Sequence, residues 1–378
     1  MDKIYKIFAL FPGSTSTKIA AFENEKMLFS VNVTHEASRL KEFKEIIDQL
    51  RYRKQTILTE LAKQNYSLEG VDAFVSAGGG LVSLEGGTYK IEGKLLEHST
   101  IGYTIKHPNT LGNVLAYQFA QQYGGLALAV NPPDVDEMEI PARMTGWKNV
   151  FRENRGHPLN QKEVARRYAK ELGRKYEECN FVVAHLGGGF SIAAHKRGRM
   201  IDTSDAVQGD GPMAPTRCGA MPVKAVIDKC FSGKYTERDV LNLMSKDGGL
   251  VDHLGTSDAR EVEDRIKAGD EYARIVYDAL IYQVGKFIGA YAAVLHGEVD
   301  GVILTGGIAH SKYLVEKVAG MVSFIAPVKI YPGEGEMEAM AAGALRVLRG
   351  EEAPQVYTGV SVWSGFENKV EFAQAAKS

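Results

Sequence analysis

The sequence repeats one order of short segments in its two halves. Near the start, IYKIFALF, STKIAAF and KMLFSVNV are three β-rich runs, joined by a turn at Gly13 and by the charged turn ENEK. Near the middle, NFVVAHL, FSIAAHK and RMIDTS are joined by Gly187 to Gly189 and by Arg197-Gly198. The two glycine turns lie about half a chain apart, which predicts duplicated domains rather than a solenoid of short period.

Each triplet is followed by helical stretches that alternate with apolar runs such as VDAFVSA, GLALAVN and VDGVILTGG. This alternation is typical of helices packed on both faces of a mixed sheet. The clearest helix is predicted over residues 270–296, with Gly297 at its C-terminus. With 378 residues, the chain has room for two domains of about 150 to 200 residues. The sequence therefore predicts an α/β fold of two domains that meet between Pro132 and Pro141.

Charge and cysteine content exclude several classes of function. The formal net charge is -2, and no long basic run offers a surface for nucleic acid. Cys179, Cys218 and Cys230 are too few for a disulfide framework, and no Cys-x-x-Cys pair indicates a zinc site. The start lacks a cleavage site, and no run of about 18 apolar residues could span a membrane. We therefore expect a cytoplasmic protein with neither a nucleic-acid nor a membrane partner.

The two glycine turns are candidates for anion sites. A single glycine turn is most often a simple hairpin, but two in equivalent positions favour a shared ligand. Glycine lets successive backbone N–H groups approach an anion closely. The first turn adds the hydroxyl groups of residues 14–17, whereas Gly187 to Gly189 form a bare turn. We expect them to hold a polyphosphate across a cleft, with Gly188 needing either a positive φ or a close approach of phosphate.

Two further segments are candidates for ligand contacts, and the position of the first suits a nucleoside. Gly306-Gly307 ends a buried apolar run, before a helix that we predict to start near His310. Ser257-Asp258 precedes another predicted helix, and Glu261 completes the spacing of a capping box. For Asp258 and Arg260, an ordinary helix cap and a ligand role both remain open.

Several longer segments make the pattern specific. They are FPGSTSTKIA, VDEM, VVAHLGGGFSIAAH, GDGPMAPTRCG, GGLVDHLGTSDARE, ILTGGIAH and SFIAPVKIYPGEGEMEAMAAGALR. Together they resemble the superfamily of acetate and sugar kinases, heat-shock chaperones and actin, and within it the butyrate kinases. The resemblance covers nearly all of residues 4–350.

The resemblance implies two duplicated actin-like, or ribonuclease H-like, domains. Each would hold a mixed five-stranded sheet with helices on both faces, and a cleft would lie between them. The domains would comprise residues 1–135 with about 338–378, and residues 136–337. The implied activity is the reversible phosphorylation of a short linear or branched carboxylate by ATP with Mg²⁺, giving an acyl phosphate. Enzymes of this kind are usually homodimers or larger homo-oligomers.

The family's roles carry over wherever the residues match. Nucleotide contacts are implied for Gly13, Ser14, Thr15, Ser16, Lys18, Gly187, Gly188, Gly189, Ser257, Asp258, Arg260, Gly306, Gly307, Ile308, Ala309 and His310. Arg217 matches an arginine that neutralises the migrating phosphoryl group, and His185 matches a histidine that donates to it. His107 matches a cleft histidine, and Glu336 matches an acidic residue linked to magnesium.

Three residues on the acceptor side depart from the family pattern. Phe11 replaces the asparagine of Asn-Pro-Gly-Ser, and Ala77 replaces the arginine of Arg-Gly-Gly, whose guanidinium pairs with the substrate carboxylate. Asn131, at the remaining catalytic position, replaces the aspartate of Asp-Pro, and His107-x-x-Asn has become His107-Pro-Asn-Thr. Two hypotheses therefore stay open. The chain is either a butyrate-type kinase, or a catalytically impaired nucleotide-binding relative that acts as a regulator or partner subunit.

Overall fold

The computed structural model describes residues 3–366 of the chain. The chain divides into two compact units, of which one comprises residues 1–136 with 335–378 and the other residues 137–334. The end of the first predicted domain, residues 367–378, lies outside the described residues. No helix among residues 3–366 is long and apolar enough to cross a bilayer.

The described residues of the first unit form one sheet and five α-helices. Its strands are β1 Lys6–Pro12, β2 Ser16–Glu23, β3 Lys26–Thr34, β4 Ala73–Ser76, β5 Thr88–Lys90 and β6 Leu126–Val130. Its helices are α1 Ala37–Lys41, α2 Leu50–Lys63, α3 Gly93–Ile101, α4 Thr110–Tyr123 and, from the end of the chain, α13 Glu336–Leu348. The strand order is β3-β2-β1-β4-β6-β5, with β1, β4 and β6 parallel.

Helices cover both faces of this sheet. Phe8 and Leu10 of β1 pack with Leu111, Leu115 and Phe119 of α4 in one apolar cluster. Neighbouring residues of a strand point to opposite faces. Ala129 of β6 belongs to the α4 cluster, whereas a Cβ at Gly343 of α13 would collide with Val130. Helix α13 therefore lies on the face opposite α4, where a glycine lets it approach the sheet closely.

The second unit repeats this plan. Its strands are β7 Asn180–Leu186, β8 Phe190–Lys196, β9 Arg199–Thr203, β10 Gly301–Gly306 and β11 Val328–Pro332, in the order β11-β10-β7-β8-β9. Its helices are α5 Ile140–Arg143, α6 Pro158–Glu171, α7 Val223–Cys230, α8 Glu237–Ser245, α9 Leu250–Leu254, α10 Ala259–Lys267, α11 Glu271–Val294 and α12 Lys312–Val322.

Both faces of the second sheet are also covered. Val182 and Ala184 of β7 pack with Leu280 and Val284 of α11. The alternate residues of β7 join a separate cluster with α6 that includes Ala165. The predicted α/β fold with helices on both faces of mixed sheets is therefore confirmed in each unit, as are both strand triplets and the long helix α11.

One detail of the predicted sheets is wrong. The first sheet has six strands rather than five, because the three residues of β5 add an antiparallel edge to β6. The predicted helix start near His310 is confirmed, since a 3₁₀ turn over Gly307–His310 leads into α12, which begins at Lys312 and is capped by the Ser311 hydroxyl.

Part of the C-terminal tail, for which no structure was predicted, packs on the first unit. The backbone of Gln355 bonds to Thr88 and Lys90 beside β5, at 2.7 and 3.0 Å. The Tyr357 hydroxyl lies 2.9 Å from Nδ1 of His98 and accepts from the Val82 N–H. The tail thus covers the edge that β5 would otherwise leave open.

Candidate functional site

In the second unit, three predicted segments end at one edge of the sheet. Strands β7, β10 and β11 are parallel, and Thr305 pairs with both His185 and Tyr331. Loops that follow the carboxyl ends of adjacent parallel strands meet at the same edge. His185, the Gly187 to Gly189 turn and Gly306-Gly307 are therefore brought together with Glu334, a residue for which no role was predicted.

The bare glycine turn holds the side chain of Arg217. A Cβ at Gly189 would overlap the Arg217 guanidinium, so any larger residue would displace it from this position. Nε and Nη1 of Arg217 are shielded from solvent and have no hydrogen-bond partner. Burial lowers the pKa of this guanidinium, while Asp205 opposes that shift. Unpaired buried donors are costly, so this cation is suited to an anionic ligand.

The carbonyl of Gly188 faces Thr216, which donates to it from both its N–H and its hydroxyl at 3.3 and 3.1 Å. In a trans peptide the next N–H points the opposite way, so the Gly189 N–H points away from Thr216. Of the two reasons predicted for Gly188, a positive φ is excluded, since Gly188 is not among the residues with positive φ. A Cβ there would meet nothing within 4 Å. Close approach of a ligand is the remaining reason for this glycine.

His185 is held on both ring nitrogens and is only 2% exposed. Nδ1 lies 2.8 Å from Oδ1 of Asn160, and Nε2 lies 3.1 Å from a carboxylate oxygen of Glu334. The Asn160 amide nitrogen donates to the Glu334 carbonyl at 2.6 Å, which fixes the amide oxygen toward His185. With a partner at each ring nitrogen, the imidazole can keep one orientation at this edge of the sheet.

A second histidine, His157, packs against the ring of His185. The ring of His157 stacks on His185 with centroids 4.0 Å apart, and its Nδ1 lies 2.7 Å from the Ser191 hydroxyl. Burial, with the nearby His185 and Arg217, lowers the pKa of His157 well below its usual value. His157 is therefore a neutral support. The sequence offered no signal for it, because a lone histidine before Pro158 belongs to no motif.

In the first unit, the hydroxyl-rich turn joins β1 to β2. The Gly13 N–H donates to the Ser16 carbonyl at 2.7 Å, while Ser14 and Thr15 are exposed. Lys18 lies directly opposite Phe11 across the two strands. The loop thus has the exposed backbone and hydroxyl groups expected of an anion site.

Two residues beneath this loop were not predicted. Arg53 donates to the carbonyls of Ser14 and Ser16, and His35 bonds the Thr17 hydroxyl at 2.8 Å. Burial, aided by the charge of Arg53, lowers the pKa of His35 to about 4.

The three departures from the family pattern lie at one edge of the first sheet. Phe11, Ala77 and Asn131 stand at or just past the carboxyl ends of the parallel strands β1, β4 and β6. Ala77 is 2% exposed, so the position at which the family pattern has an arginine is buried in this chain. These changes therefore affect one region of the unit rather than three separate ones.

Asn131 has a clear structural role. It adopts φ +38°, a region that asparagine tolerates better than most residues. Its N–H donates to the Gly87 carbonyl at 2.9 Å, and its Oδ1 accepts from the Gly87 N–H at 2.8 Å. An aspartate could keep both bonds, because the side chain uses only its acceptor.

His107 and Glu336 also belong to the first unit. Nδ1 of His107 accepts from the Asn109 N–H at 3.2 Å, so the proton of a neutral ring lies on Nε2.

Glu336 is the first residue of α13 and is half-buried. Across residues 3–366 no group of three or more histidine, cysteine or acidic residues could hold a metal. A magnesium ion that takes most of its ligands from phosphates and water needs only one or two carboxylates, which Glu336 fits.

The capping box predicted for Asp258 and Glu261, at the start of α10, is wrong. Asp258 is the N-cap of α10 and accepts from the Arg260 N–H, but Glu261 bonds the Thr256 hydroxyl instead of the cap backbone. The Thr256 hydroxyl takes that place, since it accepts from the Asp258 N–H at 3.1 Å. Asp258 and Arg260 pair with each other, and the hydrogen bonds from Arg260 lower the pKa of Asp258 to about 2. Ser257 and Arg260 are exposed.

The Gly306 to His310 segment is shaped by its glycines. Gly306 has φ +90°, and a Cβ there would press against the backbone of Leu186. Its N–H and carbonyl exchange hydrogen bonds with Gly333 at 3.1 and 2.9 Å. Gly307 and His310 are exposed, whereas Ala309 is buried.

Comparison with known proteins shows the family to which this chain is similar. Residues 137–330 match the model of the Acetokinase family. "Butyrate kinase 2" of Clostridium acetobutylicum is 46% identical over 353 residues, which cover 93% of this chain and 99% of that protein.

Solved structures agree on the fold. Acetate kinase of Porphyromonas gingivalis is 22% identical, with a TM-score of 0.72 over 91% of this chain and 100% of that one. A propionate kinase of Francisella tularensis is 19% identical, with a TM-score of 0.68 over 90% of this chain and 98% of that one. By sequence over nearly its whole length, and by fold, this chain belongs to the acetokinase family.

Proposed function

We propose that this protein phosphorylates a short-chain carboxylate of the butyrate type with ATP, reversibly, to give an acyl phosphate. The observation that carries the proposal is Arg217, whose Nε and Nη1 are buried without partners against the Gly187 to Gly189 turn. A guanidinium with two free donors matches the geometry of a phosphoryl group. The 46% identity to a butyrate kinase supports the carboxylate as acceptor.

Phosphoryl transfer depends on positioning and on neutralising charge. In this proposal Arg217 offsets the charge on the transferred group, and Nε2 of His185 donates a hydrogen bond to that group in place of its bond to Glu334. The bond from Nδ1 of His185 to Oδ1 of Asn160 keeps the ring from rotating. The carbonyl of Gly188 is tied back by Thr216, which leaves the Gly189 N–H free to face an anion.

The nucleotide would also contact the hydroxyl-rich loop at Gly13 to Thr17 and Lys18. The segments at Ser257 to Arg260 and Gly306 to His310 are proposed to hold its nucleoside. Mg²⁺ bound with ATP supplies positive charge to the phosphates, and Glu336 is the residue proposed to hold it. His107 is proposed to contact the substrates from the first unit.

The residues on the acceptor side favour a low rate of carboxylate phosphorylation. A guanidinium on the substrate carboxylate contributes roughly 1.5 to 3 kcal/mol, and Ala77 provides none. Phe11 replaces a side chain that could donate and accept. Together the changes at Phe11, Ala77 and Asn131 favour a second candidate function, that of a nucleotide-binding relative with a regulatory or partner-subunit role.

Nucleotide binding is the first test of both candidates. Calorimetry with ATP and with ADP, each with Mg²⁺ at millimolar concentration, is expected to show binding. If neither heat nor a thermal shift is seen, both candidates fail. Acyl phosphate formation then separates the kinase from the impaired relative.

We also propose that the protein self-associates through α7 and α8. Neither helix buries a residue, and Val223, Ile227, Phe231 and Leu241 are 48–86% exposed. Exposed apolar patches of this kind usually mark interfaces. Light scattering on the wild type should give more than one chain per particle, and Phe231→Glu should reduce that number.

A cytoplasmic location is part of the proposal. Cys179, Cys218 and Cys230 are all free thiols, and Cys230 is exposed, which suits a reducing compartment.

A further inference from the structure

Arg53 is a buried cation that has no counter-ion among the residues that the structure describes. It lies on the inner face of α2 with Ile57 and Leu61, and its side chain is 0% exposed. Burial lowers the pKa of its guanidinium to about 10, which leaves it charged near neutral pH. Within residues 3–366 no carboxylate pairs with it, and its acceptors are all neutral. An uncompensated buried charge is unfavourable, so an anion is expected close by.

The guanidinium is directed at the first glycine loop. Nη2 donates to the Ser14 carbonyl at 3.2 Å, and Nη1 donates to the Ser16 carbonyl at 3.1 Å. Nη1 also donates to the Thr17 hydroxyl at 3.1 Å, and Nε donates to Oε1 of Gln49 at 3.0 Å. The forked guanidinium of Arg53 therefore links two loop carbonyls to α2.

Fixing these carbonyls also fixes the loop amides. The C=O of one residue and the N–H of the next point in opposite directions across a trans peptide. With the Ser14 carbonyl turned to Arg53, the Thr15 N–H points away from it. The Thr15 carbonyl accepts from the His35 N–H at 2.9 Å, so the Ser16 N–H points away from His35. Such N–H groups, set beside a positive charge, form an anion-binding concavity.

We propose that Arg53 is a positioning residue for phosphate binding at this loop. Its fork holds the Gly13 to Thr17 backbone in the phosphate-binding conformation, and the bound phosphate becomes its counter-ion. The inference rests on the proposed nucleotide-dependent function, because it takes a nucleotide phosphate as the ligand of the loop.

A comparison of ATP with adenosine separates this role from a general effect on folding. Arg53 acts on phosphate only, so its removal should weaken ATP and leave adenosine unchanged. A variant that merely loosens the fold should weaken both ligands.

The experiment is calorimetric titration of the full chain with MgATP and with adenosine. Arg53→Met removes the charge and the fork, and should raise the Kd for MgATP by at least about 10-fold. Arg53→Lys keeps the charge without the fork, and should lie between Arg53→Met and the wild type. Arg346→Met is the matched control, since Arg346 is an arginine of the same unit that lies on α13 and pairs with Glu352. It should change neither Kd.

Thr17→Val keeps the measurement possible should both Arg53 variants fail to fold. It removes one acceptor of the guanidinium at nearly constant side-chain volume, and should also weaken MgATP but not adenosine. A folded Arg53→Met with wild-type affinity for MgATP would overturn the inference, and so would an equal loss of both ligands in Thr17→Val. If the wild type itself does not bind MgATP, the proposed function fails instead.

Discussion

The guanidinium of Arg217 occupies the space that a Cβ at position 189 would need, so Arg217 can hold its present position only beside a glycine. The space taken by Arg217 explains why position 189 is a glycine. A special backbone conformation does not, because Gly189 has no positive φ. Gly188, its neighbour, is exposed and has open space above it.

Gly189→Ala is expected to displace Arg217 and reduce the catalytic rate. Loss of one preorganised donor at a transition state slows a reaction by about 100-fold to 1,000-fold. Steady-state kinetics measure the effect, and Gly146→Ala is a control in the same unit, at a glycine with nothing within 4 Å. Wild-type rates in Gly189→Ala would show that Arg217 does not act there.

Gly188→Val tests whether a ligand approaches the turn. A Cβ at this position meets no heavy atom within 4 Å, so the melting temperature should stay nearly the same. The Kd for MgATP should rise by at least about 10-fold, which is about 1.4 kcal/mol, because the side chain occupies the space of the phosphates. Unchanged affinity, measured by calorimetry, would remove the turn from the nucleotide site.

His35 should make the folded state sensitive to acid. Its pKa is about 4 when folded and 6.5 in the unfolded chain, so the unfolded chain binds more protons between these values. The stability that neutral His35 contributes is therefore complete above pH 6.5 and declines as the pH falls to about 4. The full loss is about 3 kcal/mol.

Urea unfolding of the wild type and of His35→Gln, across that pH range, measures this contribution. The variant should lose less stability on acidification, whereas His253→Gln, at an exposed histidine, should follow the wild type. Parallel curves for the wild type and His35→Gln would contradict the assignment.

The three departures should limit turnover as a group. Ala77→Arg alone should help little, because position 77 is buried and Phe11 stays in place. Asn131→Asp can keep both bonds to Gly87. The triple variant Phe11→Asn, Ala77→Arg and Asn131→Asp should raise the rate by more than the product of the single effects, since positioned groups act together. A triple variant no faster than the best single one would show that these positions do not hold the acceptor.

Much of the fold could be predicted, since strand alternation and glycine turns are local signals. The β7–β8 turn and α11 follow directly from such patterns. Strand β5 could not be found, because its three residues are too few to show a period. The contact of Tyr357 with His98 was equally hidden, because it joins residues more than 250 positions apart.

The candidate site was predictable only where residues form motifs. His185 and Arg217 lie in long family segments, and the structure gives each a defined setting. Asn160 and His157 support His185 as single polar residues without a pattern. Arg53 did leave a signal, since it falls four and eight residues before the buried Ile57 and Leu61 and so lies on the apolar stripe of its helix. The assigned roles of the site residues remain predictions.

Acyl phosphate formation tests the central claim most directly. Hydroxylamine traps acyl phosphates as hydroxamates, and the assay uses MgATP with butyrate, isobutyrate and shorter or longer acids. We expect a hydroxamate that requires ATP and Mg²⁺, formed by the wild type below the rate of about 1 to 100 per second usual for kinases, and faster by the triple variant. A wild type already within that range would refute the impaired acceptor side. If neither protein forms hydroxamate from any acid although MgATP binds, the chain is not a carboxylate kinase.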